Sequence, residues 1–210
     1  MGRSPGYIKP FTDRKDFIRR LASRRFESAC EVGVQAGAHA VIILRYWPLL
    51  KKFYLVDLWK HQKNYRVLAN VDDEAHEERY RTALERLDPW KKKTIFLRGY
   101  STTMAEQIEA DTLDFVCLDA RHDYYGCTED LEAYWPKLRR GGVLSGHDYC
   151  TAREVKNQDW SVGCSGERHP GAVKGAVDDF AFHRNLQVVV GYREALFNTW
   201  AFLKPCRATT

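Results

Sequence analysis

Apolar positions along this chain come in two alternating kinds. Short apolar runs read as strands, and the second of them is apolar on both faces, as buried parallel strands are. They are ESACEVGV (27–34), KKFYLVDLW (51–59), KTIFLRGYS (93–101), TLDFVCLDA (112–120) and RRGGVLSGHDY (139–149). Between them the apolar residues recur at helical spacing. GAHAVIILRYWPLL (37–50) predicts a helix ending near Pro48. Tyr80, Ala83, Leu84 and Leu87 stand at i, i+3, i+4 and i+7 and predict a helix over 72–87. Within it Glu77 and Arg81 are expected to pair at i,i+4. Another helix is predicted from Thr128, as its N-cap, to Leu138, with Pro136 stopping it. Val173, Ala176, Val177 and Phe180 mark a further amphipathic helix. Two closing runs, LQVVVGY (186–192) and LFNTWAFLK (196–204), lie close enough to pair antiparallel. Such alternation predicts a mostly parallel sheet covered by helices on both faces, with ligands at the carboxyl ends of its strands.

The chain has 210 residues, of which 44% are hydrophobic, enough for one domain with a real core. Residues 1–25 are expected to form a helical extension, and the Gly- and Pro-containing stretch 150–171 an active-site loop. No run approaches the ~18 apolar residues of a membrane span. The first residues lack the apolar core of a signal peptide, and Gly6 breaks the myristoylation pattern. Six cysteines occur without a C-x-x-C pair or a zinc spacing, which suits a reducing compartment. A cytoplasmic protein is expected. The net charge of +5 resides in short basic clusters such as Arg19, Arg20, Arg24 and Arg25, near segment ends. No aromatic-rich binding signature accompanies them, so nucleic acid is not an expected partner.

The segment Glu31-Val32-Gly33-Val34-Gln35-Ala36-Gly37 ends the first strand and opens a helix. Gln35 stands where the dinucleotide fingerprint needs glycine, and no lysine follows Gly37 to make a phosphate loop. An acid before the first glycine repels pyrophosphate and suits a cationic ligand. The second strand ends at Asp57, where a carboxylate can accept ribose hydroxyls. A ribose with a positive charge and no phosphate describes S-adenosylmethionine.

Several stretches resemble one family. CEVGVQAGAHA (30–40) is similar to the first motif of class I S-adenosylmethionine-dependent methyltransferases, FYLVDLW (53–59) to their acidic motif, and LRGYSTTMAEQI (97–108) to their adenine-contacting turn. The long stretch 113–149, with GAVKGAVDDFA (171–181) and WAFLK (200–204), resembles the methyltransferase 24 group, which includes macrocin O-methyltransferase types. The resemblance implies a Rossmann-like, doubly wound α/β fold of seven strands with the last antiparallel. It implies S-adenosylmethionine as cofactor and methyl transfer to a small-molecule hydroxyl, often with a divalent cation such as magnesium. By carry-over Glu31, Gly33, Gly37, Asp57, Leu58, Trp59, Gly99, Tyr100, Ser101 and Asp119 contact the cofactor, and Asp119 and Asp148 bind the metal. Related enzymes carry a second acid where Arg121 stands here, which leaves the base open.

Topology gives Asp119 and Asp148 an independent rationale. Each ends a strand at the same sheet edge, and adjacent strands lie ~4.8 Å apart. Two carboxylates so close call for a compensating charge. A cation supplies one, and His147 is a candidate third ligand. With Asp119, His122 is the expected catalytic residue, as the base, since an imidazole exchanges protons near neutral pH. Asp123 and Asp130 read as capping or solvent residues. A homodimer is compatible with the sequence. The competing readings are a nucleic-acid or protein methyltransferase, against which DARHDYY (119–125) argues, and a cofactor-binding protein without turnover.

Overall fold

The apolar run Leu113–Leu118 (β4) is buried along its whole length and lies at the middle of a seven-stranded sheet. In the computed structural model, which describes residues 7–194 and 196–206, the chain runs α1 (Arg14–Leu21), β1 (Ser28–Val32), α2 (Ala38–Tyr46), β2 (Lys52–Asp57), α3 (Asp73–Leu87), β3 (Thr94–Arg98) and α4 (Ser101–Ala105). It continues through β4, α5 (Tyr124–Tyr134), β5 (Leu138–Gly146), α6 (Ala172–His183), β6 (Val189–Val190) and β7 (Trp200–Leu203). Residues 1–6 of the expected helical extension lie outside the described residues; α1 is its described helix.

The strand order is β3-β2-β1-β4-β5-β7-β6. β7 runs antiparallel to both its neighbours, and the other pairings are parallel. The order reverses between β1 and β4, which opens a crevice at their carboxyl ends. Alternation along the strands sorts the core into two layers. Phe115 and Cys117 face α1, α2 and α3, whereas Val116 and Leu118 face α4, α5 and α6. A smaller apolar cluster, with Tyr65, Val67, Val155 and Trp160, joins the 60–71 and 150–171 segments above the sheet.

Local chemistry sets the helix ends. Asp13, Asp72 and Asp123 cap α1, α3 and α5 by accepting the N–H of Asp16, Ala75 and Gly126 at 2.8, 2.8 and 2.9 Å. α5 therefore starts four residues before the predicted Thr128 cap and ends at Tyr134. Thr128 sits inside it and turns its hydroxyl back onto the Tyr124 carbonyl at 2.7 Å, the alternative bond a helical threonine makes. Glu77 pairs with Arg98 at 2.8 Å, and Arg81 lies 3.7 Å from Glu78, in place of the predicted Glu77–Arg81 pair. All six cysteines are free thiols.

Asp130 is a buried acid on α5 that accepts a hydrogen bond from Ser101 of α4. Burial pushes its carboxyl up to about 7, against the opposing effects of the Ser101 bond and the Arg121 charge. The folded chain thus keeps a proton that the unfolded chain releases near ~4. This stabilising component is complete below pH ~4 and lost as pH rises towards ~7. Asp130→Asn should flatten that fall in stability, read from urea midpoints across the interval. Phe115 is fully buried, with Trp47 edge-on at 4.9 Å and Phe17 and Phe26 at 6.4 Å. Phe115→Ala should cost about 3–5 kcal/mol and lower Tm on the order of 10 °C by calorimetry.

Candidate active site

The turn after β1 is pressed against the end of β4. Gly33, at φ 92°, donates its N–H to the Val56 carbonyl at 2.8 Å, and Asp119 donates its own to Val32 at 2.7 Å. A Cβ on Gly33 would lie 1.9 Å from the Asp119 carbonyl oxygen, so only glycine allows this approach. Asp57, at the end of β2, accepts the N–H of Gln35 at 2.8 Å on one oxygen and of Trp59 at 3.0 Å on the other. Each oxygen keeps a lone pair for a ligand hydroxyl.

These elements border a cleft of about 730 Å³, open mouth included, walled by Gly33, Asp57, Leu58, Gly99, Tyr100, Ser101 and Asp119. Three predicted cofactor residues stand elsewhere. Trp59 is buried between Tyr80 and Phe96, at 4.7 and 6.0 Å, and its indole N–H pins the Gln35 carbonyl at 2.8 Å. It orders the cleft floor from the core, because an indole at that turn finds apolar area behind it. Gly37, at φ 75°, begins α2 and packs beneath Leu87 and Ala83 of α3. Glu31 is buried on the α2 side, with Oε1 3.3 Å from His39 Nδ1 and Oε2 without a partner. The cleft also has a wall the sequence reading did not single out, from Gln62, Tyr65, Asn70, His76 and Arg79.

Beside the cleft, the strand pairing Leu118↔Gly146 brings Asp119 and Asp148 together. Among the described residues, one group offers three metal-type ligand atoms within 4.8 Å of one another: Asp119, His122 and Asp148. Asp148 has left-handed backbone, φ 61°, which turns its carboxylate between two imidazoles. Its Oδ2 lies 3.1 Å from His122 Nε2 and its Oδ1 2.9 Å from His147 Nδ1. Burial alone would raise the Asp148 carboxyl; the His147 bond and the nearby His122 and Arg14 outweigh it and hold it below the usual aspartate range. His147, the predicted ligand, stands outside the three-residue group. His122, the predicted base, stands inside it.

Arg14 of α1 reaches across this edge and donates to Asp119 Oδ2 at 2.9 Å. Burial would lower its guanidinium, but Asp119, Cys117 and Glu31 hold it above its ordinary value. Arg121, where the resemblance carries an acid, clamps Asp123 with two bonds of 2.9 Å and Glu129 with a third. Above the cluster, Tyr65 accepts the His122 N–H at 2.8 Å, and Trp160 lies 4.4 Å from the His122 ring. The segments carrying them are tied together, since Leu68 N–H donates to Gln158 at 2.9 Å. His122 Nδ1 is buried beneath them without a partner. Arg14, Tyr65 and Trp160 escaped the sequence reading. The faint signal was an arginine just after a capping aspartate, and aromatics punctuating polar loops.

Comparison with known proteins bears on this arrangement. The family model described as a methyltransferase domain, methyltransferase 24, matches residues 30–149. No curated protein matches the chain. Among solved structures, an O-methyltransferase family protein from Burkholderia thailandensis aligns with TM-score 0.61 and 16% identity over 91% of this chain; this chain spans only 55% of that one. TomG from Streptomyces achromogenes, an O-methyltransferase of tomaymycin synthesis in complex with S-adenosylmethionine, aligns with TM-score 0.61 and 14% identity over 91% of this chain and 79% of its own. An O-methyltransferase from Bacillus cereus, in complex with S-adenosylhomocysteine, gives 0.59 and 14% over 97% and 83%. At such identities the structural likeness is one of fold, and it is the match over more than half of the sequence that assigns the family. The chain belongs to the methyltransferase 24 family, and with it to the class I S-adenosylmethionine-dependent methyltransferases.

Proposed function

We propose that this domain methylates a hydroxyl oxygen of a small molecule, with S-adenosylmethionine in the cleft and a divalent cation between Asp119, His122 and Asp148. The observation that carries the reading is the position of Asp119, which borders the cleft and belongs to the acid–imidazole cluster at once. The residues present fit both groups. Asp57 keeps free lone pairs for ribose, and Gly99 to Ser101 wall the end of the cleft where an adenine would lie. Two carboxylates and an imidazole form a donor set that hard and borderline divalent metals accept.

The cofactor supplies an electrophilic methyl carbon, and the cation supplies Lewis acidity that makes a hydroxyl a better nucleophile. The chain's own groups do the rest. The geometry favours exchanging the roles expected of the two histidines. His122 Nε2 belongs to the ligand group and is therefore not free to act as base. His147 Nδ1 lies 2.9 Å from Asp148, which orients the ring and leaves Nε2 to take the acceptor's proton. Tyr65 and Trp160 cover His122 and shield that side of the cluster from water. The overlying aromatics disfavour a macromolecular acceptor.

Calorimetry with S-adenosylhomocysteine tests the cleft. The wild type should bind it, and Asp57→Ala should weaken binding about tenfold or more; a wild type that binds none defeats the proposal. With a labelled methyl donor and a panel of hydroxyl compounds, His147→Gln should cut kcat about 100-fold or more. Asp119→Asn should abolish any response of turnover to magnesium. Turnover unaffected by that change would remove the cation from the scheme.

A further inference from the structure

Arg14 is held from both sides. It is the first residue of α1, following the capping Asp13, and its N–H donates to Glu194 Oε1 at 2.7 Å. Its guanidinium, 22% exposed, donates to Asp119 Oδ2 at 2.9 Å. Glu31 and Asp148 lie within its electrostatic reach. The bonded basic partners of those two acids are imidazoles: His39 for Glu31, His122 and His147 for Asp148. Imidazoles are charged only when protonated, whereas a guanidinium is charged at any physiological pH. Three carboxylates on adjacent strands thus share a permanent positive charge delivered by a helix about 100 residues away from Asp119 in sequence.

A divalent cation would need the same carboxylate. The ligand atoms of Asp119, His122 and Asp148 are already within 4.8 Å of one another, so a cation among them would stand close to the guanidinium on Asp119. Like charges that close repel strongly in a partly buried site. We propose that Arg14 is the resident counter-ion of this acid cluster and competes with a divalent cation for Asp119, so that cation binding is linked to release of the first turn of α1. The inference rests on the cation seat assigned under the proposed function. By reciprocity, whatever holds α1 in place weakens the cation, and the cation weakens the hold on α1. Arg14 is a positioning residue in this scheme, acting through Asp119.

Manganese titrations of the full chain, followed by calorimetry and electron paramagnetic resonance, test it without any turnover. Arg14→Gln keeps a polar side chain and loses the charge; Arg14→Lys keeps the charge. Near-ultraviolet circular dichroism confirms that each variant is folded. Arg14→Gln should bind manganese roughly tenfold tighter than wild type or better, and Arg14→Lys should stay near wild type. Adding Asp119→Asn to Arg14→Gln should remove the gain. Manganese should also raise hydrogen exchange of the α1 amides in the wild type. A merely structural arginine would give weaker binding on removal, never a gain. Equal or weaker manganese binding by folded Arg14→Gln overturns the proposal and leaves the cation seat standing. So does a gain that survives Asp119→Asn. Manganese binding by neither protein removes the seat itself, and the inference with it.

Discussion

Like charge gathered on neighbouring strands is the constraint around which this fold is arranged. β1, β4 and β5 lie side by side and parallel, and each carries an acid within two residues of its end: Glu31, Asp119 and Asp148. Left alone, such a row would drive protons onto some of its members. Each acid is instead answered from a different direction. His39 comes from α2 on one face, Arg14 from α1, and His122 and His147 from the turns after β4 and β5. The left-handed turn at Asp148 and the glycine contact under Asp119 make sense as the backbone cost of that arrangement. The loops, in turn, pack where the charged edge leaves apolar surface to cover.

How much of this was legible in the sequence depends on the range of the interaction. Runs such as Leu113–Leu118 announce buried parallel strands because both faces must be apolar, and acids at strand ends share an edge once the topology is parallel. Asp57, Asp119 and Asp148 were therefore accessible from pattern alone. The start of α5 was not, because Asp123 and Thr128 are both good caps and only packing chooses between them. Trp59 could flank the adenine or pack in the core as far as the sequence goes, because its place next to the ribose acid says nothing about where the indole points; its 1% exposure puts the indole in the core. The two histidines beside Asp148 differ only through side-chain direction around a left-handed residue, which no spacing rule encodes. Arg14 belongs to a stretch rich in basic residues, and nothing local separates it from its solvated neighbours.

The cover over the cluster is a joint product of two loops. Neither 60–71 nor 150–171 has an apolar face large enough to stand alone, and together they bury Tyr65, Val67, Val155 and Trp160. Side-chain amides hold both: Gln158 caps the Leu68 N–H across the join, and Asn70 donates to the carbonyls of Gln62 and Tyr65 within the first loop. Segments built this way open at lower free energy than the sheet beneath them. Variation in such loops changes what enters while the acid edge stays intact.

Glu194 stands far from Arg14 in the order of synthesis. One of its oxygens accepts the N–H of Arg14 and the other that of Thr199, so a single carboxylate joins the first helix to the last hairpin. During translation the arginine leaves the ribosome 180 residues ahead of its clasp, since domains emerge from their N-terminal end. Completion of the acid edge therefore waits on the β6–β7 connection, which carries the carboxylate that fixes the arginine's backbone.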